Sequence, residues 1–284
     1  MKHVVITGVS SGIGYAAAVE LAGRGYHVFG SVRREADAAR LHAALGERFT
    51  PLVFDVTDAA AVGRGAAEVA GVVGSAGLAG LVNNAGIAVS GPLMHVRLDD
   101  LRRQFEVNVV GVVAVTQAFL PLLGARPDPG HPPGRIVNVG SVSGRIAYPF
   151  LGPYAASKHA LEALSDSLRR ELLPFGVDVI LIEPGSVATP IWDKAEQEDY
   201  SHYAATAYGP MLKGFGAMAV QRGRRGMPVE RVARTIATAL EHPRPRTRYP
   251  LINHRVTGWW LPRFLPARWL DRIVARALGV NQKA

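Results

Sequence analysis

The chain is 284 residues long and 48% hydrophobic, enough to bury a large core in one α/β domain or two small ones. It has no cysteine, which excludes disulfides, thiolate metal sites and cysteine nucleophiles and fits a reducing compartment. The formal charge of +9 is carried by scattered arginines, concentrated only at 222–225, 244–248 and 263–276. With no nucleic-acid motif and no interleaved aromatic–basic platform, a basic surface with an anionic small ligand is expected, not a nucleic acid.

The opening MKHVVITGVSSGIG is not read as a secretory signal, because its apolar run is only Val4 to Ile6. No run of apolar residues approaches the ~18 needed to span a bilayer. A soluble, cytoplasmic protein is expected, at most attached to a membrane surface.

HVVIT (3–7) reads as a buried strand and GIGYAAAVELAGRG (12–25) as a helix stopped by glycine. HVFGSV (27–32) is a second strand, and TPLVFDV (50–56) a third after a helix around 35–45. Asp58 caps the next helix, and LAGLVNN (78–84) is a fourth strand. A long helix follows from about 98 to 123, then a Pro/Gly-rich surface excursion, GARPDPGHPPG (124–134). GRIVNVGS (134–141) is a fifth strand, 153–173 a helix and VDVILIEPG (177–185) a sixth strand. Continuous apolar strands separated by helices imply a parallel sheet covered on both faces. The fold class expected is a single doubly wound, Rossmann-type α/β domain over 1–284.

Residues 190–227 read as irregular, with Trp192, Tyr200, Tyr203, Tyr208 and Phe215 among small residues. After a strand end in an open α/β sheet, such a segment is placed to act as a substrate lid. The alternative is a helical excursion packing its aromatics on the core. A helix around 228–241 and a strand near 247–252 complete the sheet. A C-terminal extension, 254–284, contains an amphipathic helix over 263–280. Trp269, Leu270, Ile273, Val274, Ala277 and Leu278 share one face, and Arg268, Arg272 and Arg276 another. Packing on the domain or on a second subunit is favoured over contact with a membrane.

The first strand runs into Thr7-Gly8-Val9-Ser10-Ser11-Gly12-Ile13-Gly14. A strand, a glycine turn and a helix start bring backbone N–H groups and partial positive charge together, and missing Cβ atoms let phosphates approach. Ser10 and Ser11 add hydroxyl donors. The end of the second strand meets the adenosine ribose, where an acidic residue favours NAD. Here the chain reads GSVRR. Arg33, helped by Arg34 and Ser10, is placed to pair with a 2′-phosphate, so NADP(H) is favoured and NAD(H) stays open. Further on, YAASK (154–158) sets a phenol and an ammonium one helical turn apart.

In order, TGVSSGIG (7–14), FDVTD (54–58), NNAG (83–86), VNVVG (107–111), GSVSG (140–144), YAASK (154–158) and PGSVAT (184–189) resemble the motifs of the short-chain dehydrogenases/reductases. The resemblance covers residue 3 to about 190. It implies that Asp55 and Val56 meet the adenine, and that Asn83, Ala85 and Gly86 lie along the adenosine ribose. It also implies that Val187 and Thr189 hold the nicotinamide carboxamide, with Pro184 and Gly185 among the cofactor-binding positions. Asn108, Ser141, Tyr154 and Lys158 are its implied catalytic set.

The chemistry suits these residue types. A carbonyl that accepts hydride needs a proton, and an alcohol that loses hydride must release one. A free tyrosine, with a pKa of ~10, shuttles protons poorly near neutrality. Lys158, with the positive charge of an oxidised nicotinamide, favours the phenolate and hydrogen-bonds the nicotinamide ribose. Ser141 donates to the developing oxyanion, and the Asn108 side chain holds a water that relays protons to Lys158. Ser143 shares the face of Ser141 in an extended segment and is the less favoured serine.

VNVVGVVAVTQAFLPLL (107–123) and ELLPFGVDVILIEPG (171–185) look like the hydroxysteroid and retinol dehydrogenase branch. That likeness implies apolar alcohol or ketone substrates and a homodimer or homotetramer. A broad-specificity carbonyl reductase, a non-catalytic NADP(H)-binding regulator and a membrane scaffold are the alternatives. The Asn, Ser, Tyr and Lys set argues against the regulator.

Overall fold

Strand β1 (Lys2–Ile6) carries Val4 and Ile6 on one side and Val5 on the other, all fully buried. A strand apolar on both faces needs helices on both. The computed structural model describes residues 1–252 and 264–278, and supplies them. Residue 253, positions 254–263 and 279–284 of the expected C-terminal extension, and the side chains of Ala277 and Leu278 lie outside the described residues.

In chain order the main elements are β1, α1 (Gly12–Gly23), β2 (Tyr26–Val32), α2 (Glu35–Leu45), β3 (Phe49–Val53), α3 (Ala59–Val73) and β4 (Gly80–Asn83). Next come α4 (Leu98–Phe105), α5 (Gly111–Phe119), β5 (Arg135–Val139), α6 (Gly152–Glu171) and β6 (Asp178–Pro184). The chain continues with β7 (Val187–Ala188), α7 (Ile191–Glu196), α8 (Gly209–Arg224), β8 (Met227–Pro228), α9 (Val229–Glu241), β9 (Arg248–Leu251) and α10 (Ala267–Leu278). Among the described residues, seven strands form one sheet in the order β3-β2-β1-β4-β5-β6-β9, every pair parallel.

One sheet face, with Val4, Ile6, Val28, Val137 and Ile182, packs on α1, α2 and α9 through Leu21, Leu41, Ile236 and Leu240. The other, with Val5, Phe29, Leu81, Ile136 and Val179, packs on α3 and α5 through Val62, Val69, Val115 and Phe119. Each such large side chain stabilises the fold by about 1.5–3 kcal/mol when fully buried. Strand order reverses between β1 and β4, which opens a crevice at their C-terminal ends.

Three local expectations are corrected. The helix expected over 98–123 is continuous in space, but a π turn at Glu106–Val110 joins α4 to α5 and a 3-10 turn ends it. By length and composition, Leu98–Leu123 is apolar enough to cross a membrane, contrary to the sequence reading. Its apolar residues Val115, Phe119 and Leu123 are instead buried in the core. Residues 190–227, read as irregular, are largely helical, in α7 and α8.

The ends of this excursion are pinned together by the short parallel pair β7–β8, with Met227 N–H donating to Ser186 O at 2.9 Å. Its aromatics form a cluster of their own, not an extension of the main core. Phe150, Tyr203 and Leu212 are buried there beside Tyr200, Tyr208, Met211 and Phe215.

Candidate active site

The glycine loop fills the crevice between β1 and β4. Gly8 and Gly12 take φ of +70° and +61°, a region that other residues adopt only with strain. A Cβ on Gly8 would lie 2.9 Å from Ala85 Cα, so the loop rests on the turn after β4. Thr7 Oγ1 accepts from the N–H groups of Asn84 and Ala85, both at 3.0 Å. Asn84 Nδ2 donates to Thr7 O at 2.9 Å and to Gly8 O at 3.0 Å. Arg40 ties the loop to α2 by donating to Ser10 O at 2.9 Å. Above Gly12, a Cβ would meet only Thr189, at 3.6 Å, so missing side-chain bulk leaves a channel there. This cradle fits a dinucleotide pyrophosphate laid across the start of α1.

The cleft that continues from this loop has a volume of about 1390 Å³, larger than one small ligand requires. Gly8, Ser10, Ser11, Gly12, Ile13, Arg33, Asp55, Val56, Ala85, Gly86, Pro184, Gly185, Val187 and Thr189 all line it. Three expected cofactor positions do not. Gly14 sits beneath the loop, where a Cβ would overlap Gly8 O and Asn84 Nδ2. Arg34 turns away to Asp37, with Nε 2.8 Å from Oδ2. Asn83 points into the sheet, donating to Thr116 Oγ1 at 3.0 Å and Asn138 Oδ1 at 2.9 Å. Its neighbour Asn84 faces the cleft instead, because successive strand residues alternate sides.

On α6, Tyr154 and Lys158 face the far end of the cleft together with Ser141 and Ser143 from the end of β5. Ser141 is the serine whose hydroxyl acts on the Tyr154 phenol, lowering its pKa, and its Oγ accepts from Ser143 N–H at 3.1 Å. Lys158 is buried, with Nζ donating to Val139 O at 2.8 Å and lying 5.8 Å from the Tyr154 ring centroid. Burial brings the Lys158 pKa down to about 8, opposed by the negative charge of Glu162. Burial pushes the Tyr154 phenol up, and the Ser141 hydrogen bond only partly opposes this. In the cofactor-free chain, then, the Tyr–Lys spacing does not by itself produce a phenolate.

Asn108 stands on the π turn and is buried. Its Nδ2 donates to Ile87 O at 3.0 Å and Ser157 Oγ at 3.2 Å, and its Oδ1 accepts from Ile87 N–H at 2.9 Å. Both amide donors are thus committed to protein groups, which leaves the second lone pair of Oδ1 as the place where the side chain can take a further partner. Sequence reasoning missed its partner Gln104, one turn earlier and fully buried. Gln104 Nε2 donates to Ile87 O at 2.9 Å, and its Oε1 accepts from Val89 N–H at 2.7 Å. Together the two amides fasten the loop after β4 to α6 through Ser157. Gln104→Leu leaves Val89 N–H unpartnered, and chemical denaturation is expected to register a loss of about 1–3 kcal/mol. A change within about 0.5 kcal/mol, the range of an ordinary surface substitution, would contradict that role.

The outer wall is largely apolar, although Lys194 of α7, Glu198, and Arg222 of α8 also line it. Ile191 and Trp192 of α7, Phe215 and Met218 of α8, and Leu270, Ile273 and Val274 of α10 line the cleft. Of the amphipathic tail, Leu270, Ile273 and Val274 border the cleft, while Trp269, placed on the same apolar face by its spacing, is exposed, as are Ile273, Arg268, Arg272 and Arg276.

Comparison with known proteins agrees with this geometry. The family model described as short chain dehydrogenase matches residues 2–200. An NADPH-dependent 3-dehydrocapnine reductase of Ornithobacterium rhinotracheale is 41% identical over 278 residues, covering 98% of each chain. Retinol dehydrogenase 5 of Mus musculus is 35% identical over 296 residues, covering 95% of this chain and 87% of the mouse protein. The crystal structure of a short-chain dehydrogenase from Streptomyces avermitilis superposes with a TM-score of 0.77 at 28% identity, covering 99% of this chain and 98% of that one.

Proposed function

The chain belongs to the short-chain dehydrogenase family and is an NAD(P)-dependent oxidoreductase, and from that premise we propose what it reduces or oxidises. Its reaction moves a hydride between NADP(H) and the carbonyl or hydroxyl carbon of an apolar ketone or alcohol, with Tyr154 as the proton-transferring residue. One observation carries this reading. The Ser141–Tyr154–Lys158 group and the glycine loop open into the same cleft, and the cleft's outer wall is largely apolar.

When bound, the nicotinamide supplies or accepts the hydride. Tyr154 gives its phenolic proton to the substrate oxygen in reduction and takes it back in oxidation. Ser141, next to that phenol in the cleft, donates to the same oxygen as negative charge builds on it. Lys158 has three N–H donors, and Val139 O uses one, so two remain for ribose hydroxyls and for the charge at Tyr154. Since burial alone raises the Tyr154 pKa, the phenolate needed for oxidation depends on added positive charge at the nicotinamide. The apolar wall supports a substrate of the steroid, retinoid or long-chain ketone kind. A panel of such ketones and secondary alcohols, followed through reduced-nicotinamide absorbance, is expected to find turnover. None across the panel would overturn the proposal.

NADP(H) is the preferred cofactor on this reading. Arg33 lines the cleft at the end of β2, is 65% exposed and lies 4.0 Å from Asp55 at its nearest approach. That loose ion pair leaves the guanidinium available to a 2′-phosphate. The relative named as NADPH-dependent supports the same preference. Arg33→Ala is expected to weaken NADPH binding about tenfold or more, as for a lost hydrogen bond to a charged group, and to leave NADH nearly unchanged. Equal losses in a fluorescence titration would remove the basis for this choice.

A further inference from the structure

Tyr154, Lys158, Glu162 and Asp166 follow one another at four-residue spacing along one face of α6. The stripe therefore continues inward past the catalytic lysine to acids that the proposed reaction does not use. Opposite Glu162 lies Glu183 of β6, which is completely buried. Arg145 reaches both, with Nη2 2.7 Å from Glu162 Oε2 and Nε 3.6 Å from Glu183 Oε1. Arg248 of β9 reaches Glu162 Oε2 at 3.1 Å, Asp166 at 2.8 Å and Glu183 at 3.9 Å.

The hydrogen bonds expose a gap. Glu162 Oε2 takes both arginines, while Glu162 Oε1 and both oxygens of Glu183 receive no donor. Buried oxygens without a donor are costly, and two facing carboxylates cannot both stay ionised at close range. One proton resolves both problems, as the O–H of one acid donating to the free oxygen of the other. We propose that Glu162 and Glu183 share one proton, and that the single negative charge left on the pair keeps Lys158 an ammonium. They are positioning residues, acting through Lys158 and not on substrate.

The electrostatics agree in direction. Glu183 is held above the ordinary carboxyl range by burial and then by its contact with Glu162, against the two arginines. Burial lowers Lys158, and Glu162 opposes that fall. The groups facing the pair are Lys158 and Asp166 on α6, Arg145 ahead of it and Arg248 on β9. Their charges sum so that one proton on the acid pair leaves the cluster with one net positive charge when Lys158 is protonated.

A shared proton has a signature that two independent carboxylates lack. In either single variant, Glu162→Gln or Glu183→Gln, the remaining acid ionises and the pair still carries one negative charge. Only the double variant loses it. The test is a titration of the full, cofactor-free chain labelled with carbon-13 at the lysine ε position, where the signals are those of Lys2, Lys158, Lys194, Lys213 and Lys283. The Lys158 midpoint, about 8 in the wild type, is expected to fall by about one pH unit or more in the double variant. Either single variant should move it by less than half as much. Single shifts that add up to the double shift would overturn the proposal. Infrared spectra supply a second reading that needs no variant to be active. A protonated-carboxyl C=O band at neutral pH should appear in the wild type and vanish in each single variant, and its absence from the wild type would also overturn the proposal. The proposal rests on Lys158 belonging to the catalytic centre, but both readings are made without substrate, so failure of the proposed reaction and failure of the acid pair are distinguishable.

Discussion

Tyr154→Phe is expected to bind dinucleotide within about threefold of the wild type and to lose turnover by about 10³-fold, inside the range for removing a general acid–base group. The ring is retained, so α6 stays packed against the end of β5. Lys158 keeps its hydrogen bond to Val139 O, which does not involve the phenol. What disappears is one oxygen, the partner of Ser141 and the source of the proton. Ser141 cannot replace it, since a serine hydroxyl is a far weaker acid than a phenol, and it can only stabilise charge. Reduced-nicotinamide absorbance gives the rate and fluorescence gives the affinity. A kcat within tenfold of the wild type would remove Tyr154 from the chemistry, whereas a loss of affinity with normal kcat would make it a binding residue.

Gly14→Ala is the second large effect, and it acts on the cradle. The added carbon overlaps Gly8 O and Asn84 Nδ2, two atoms already joined by a 3.0 Å hydrogen bond. Neither is the end of a flexible chain, so the first turn of α1 must move off β4. Overpacking of this kind costs about 1–3 kcal/mol. A shifted helix start also loses one or two hydrogen bonds to phosphate, so dinucleotide affinity should fall about 100-fold. Gly23→Ala, at the end of the same helix, is the control. A carbon there meets nothing within 4 Å, and the variant should be neutral or stabilised by up to about 1 kcal/mol. Thermal unfolding and a fluorescence titration separate the two. Equal affinities in both variants would mean that the loop's close fit on β4 does not matter.

What could be read from the chain, and what could not, follows from the range of the interactions involved. Strands such as VDVILIEPG are legible because burial on both faces leaves a continuous apolar run. The cleft lining is legible because strand ends and glycine turns lie in the same stretch of sequence. Side-chain direction at a strand end is not, since it depends on pairing parity, and so the motif alone points to Asn83 where the structure turns Asn84 to the cleft. Arg33 and Arg34 are adjacent, and only the contact with Asp37, at the start of α2, draws Arg34 away. The glycines and alanines of 209–224 blur any apolar periodicity, which hides α8 in the sequence although it packs through Leu212 and Val220. Gln104 and Asn108 show only as two amides one turn apart. Their importance comes from a loop 15 or more residues away in sequence. Glu183 was hidden in an apolar strand, and nothing local announces that it meets Glu162 and two arginines.

The account depends on the Tyr154 hydroxyl and the reactive end of the nicotinamide sharing one small volume at the mouth of β5. A crystal structure with NADP⁺ and an unreactive substrate analogue tests this directly. The result expected is a nicotinamide ring held beside Val187 and Thr189, with the analogue's oxygen within hydrogen-bond reach of the Tyr154 hydroxyl, about 2.6–3.2 Å. A nicotinamide lying outside the cleft, or a Tyr154 hydroxyl shut off from the analogue by other side chains, would contradict it.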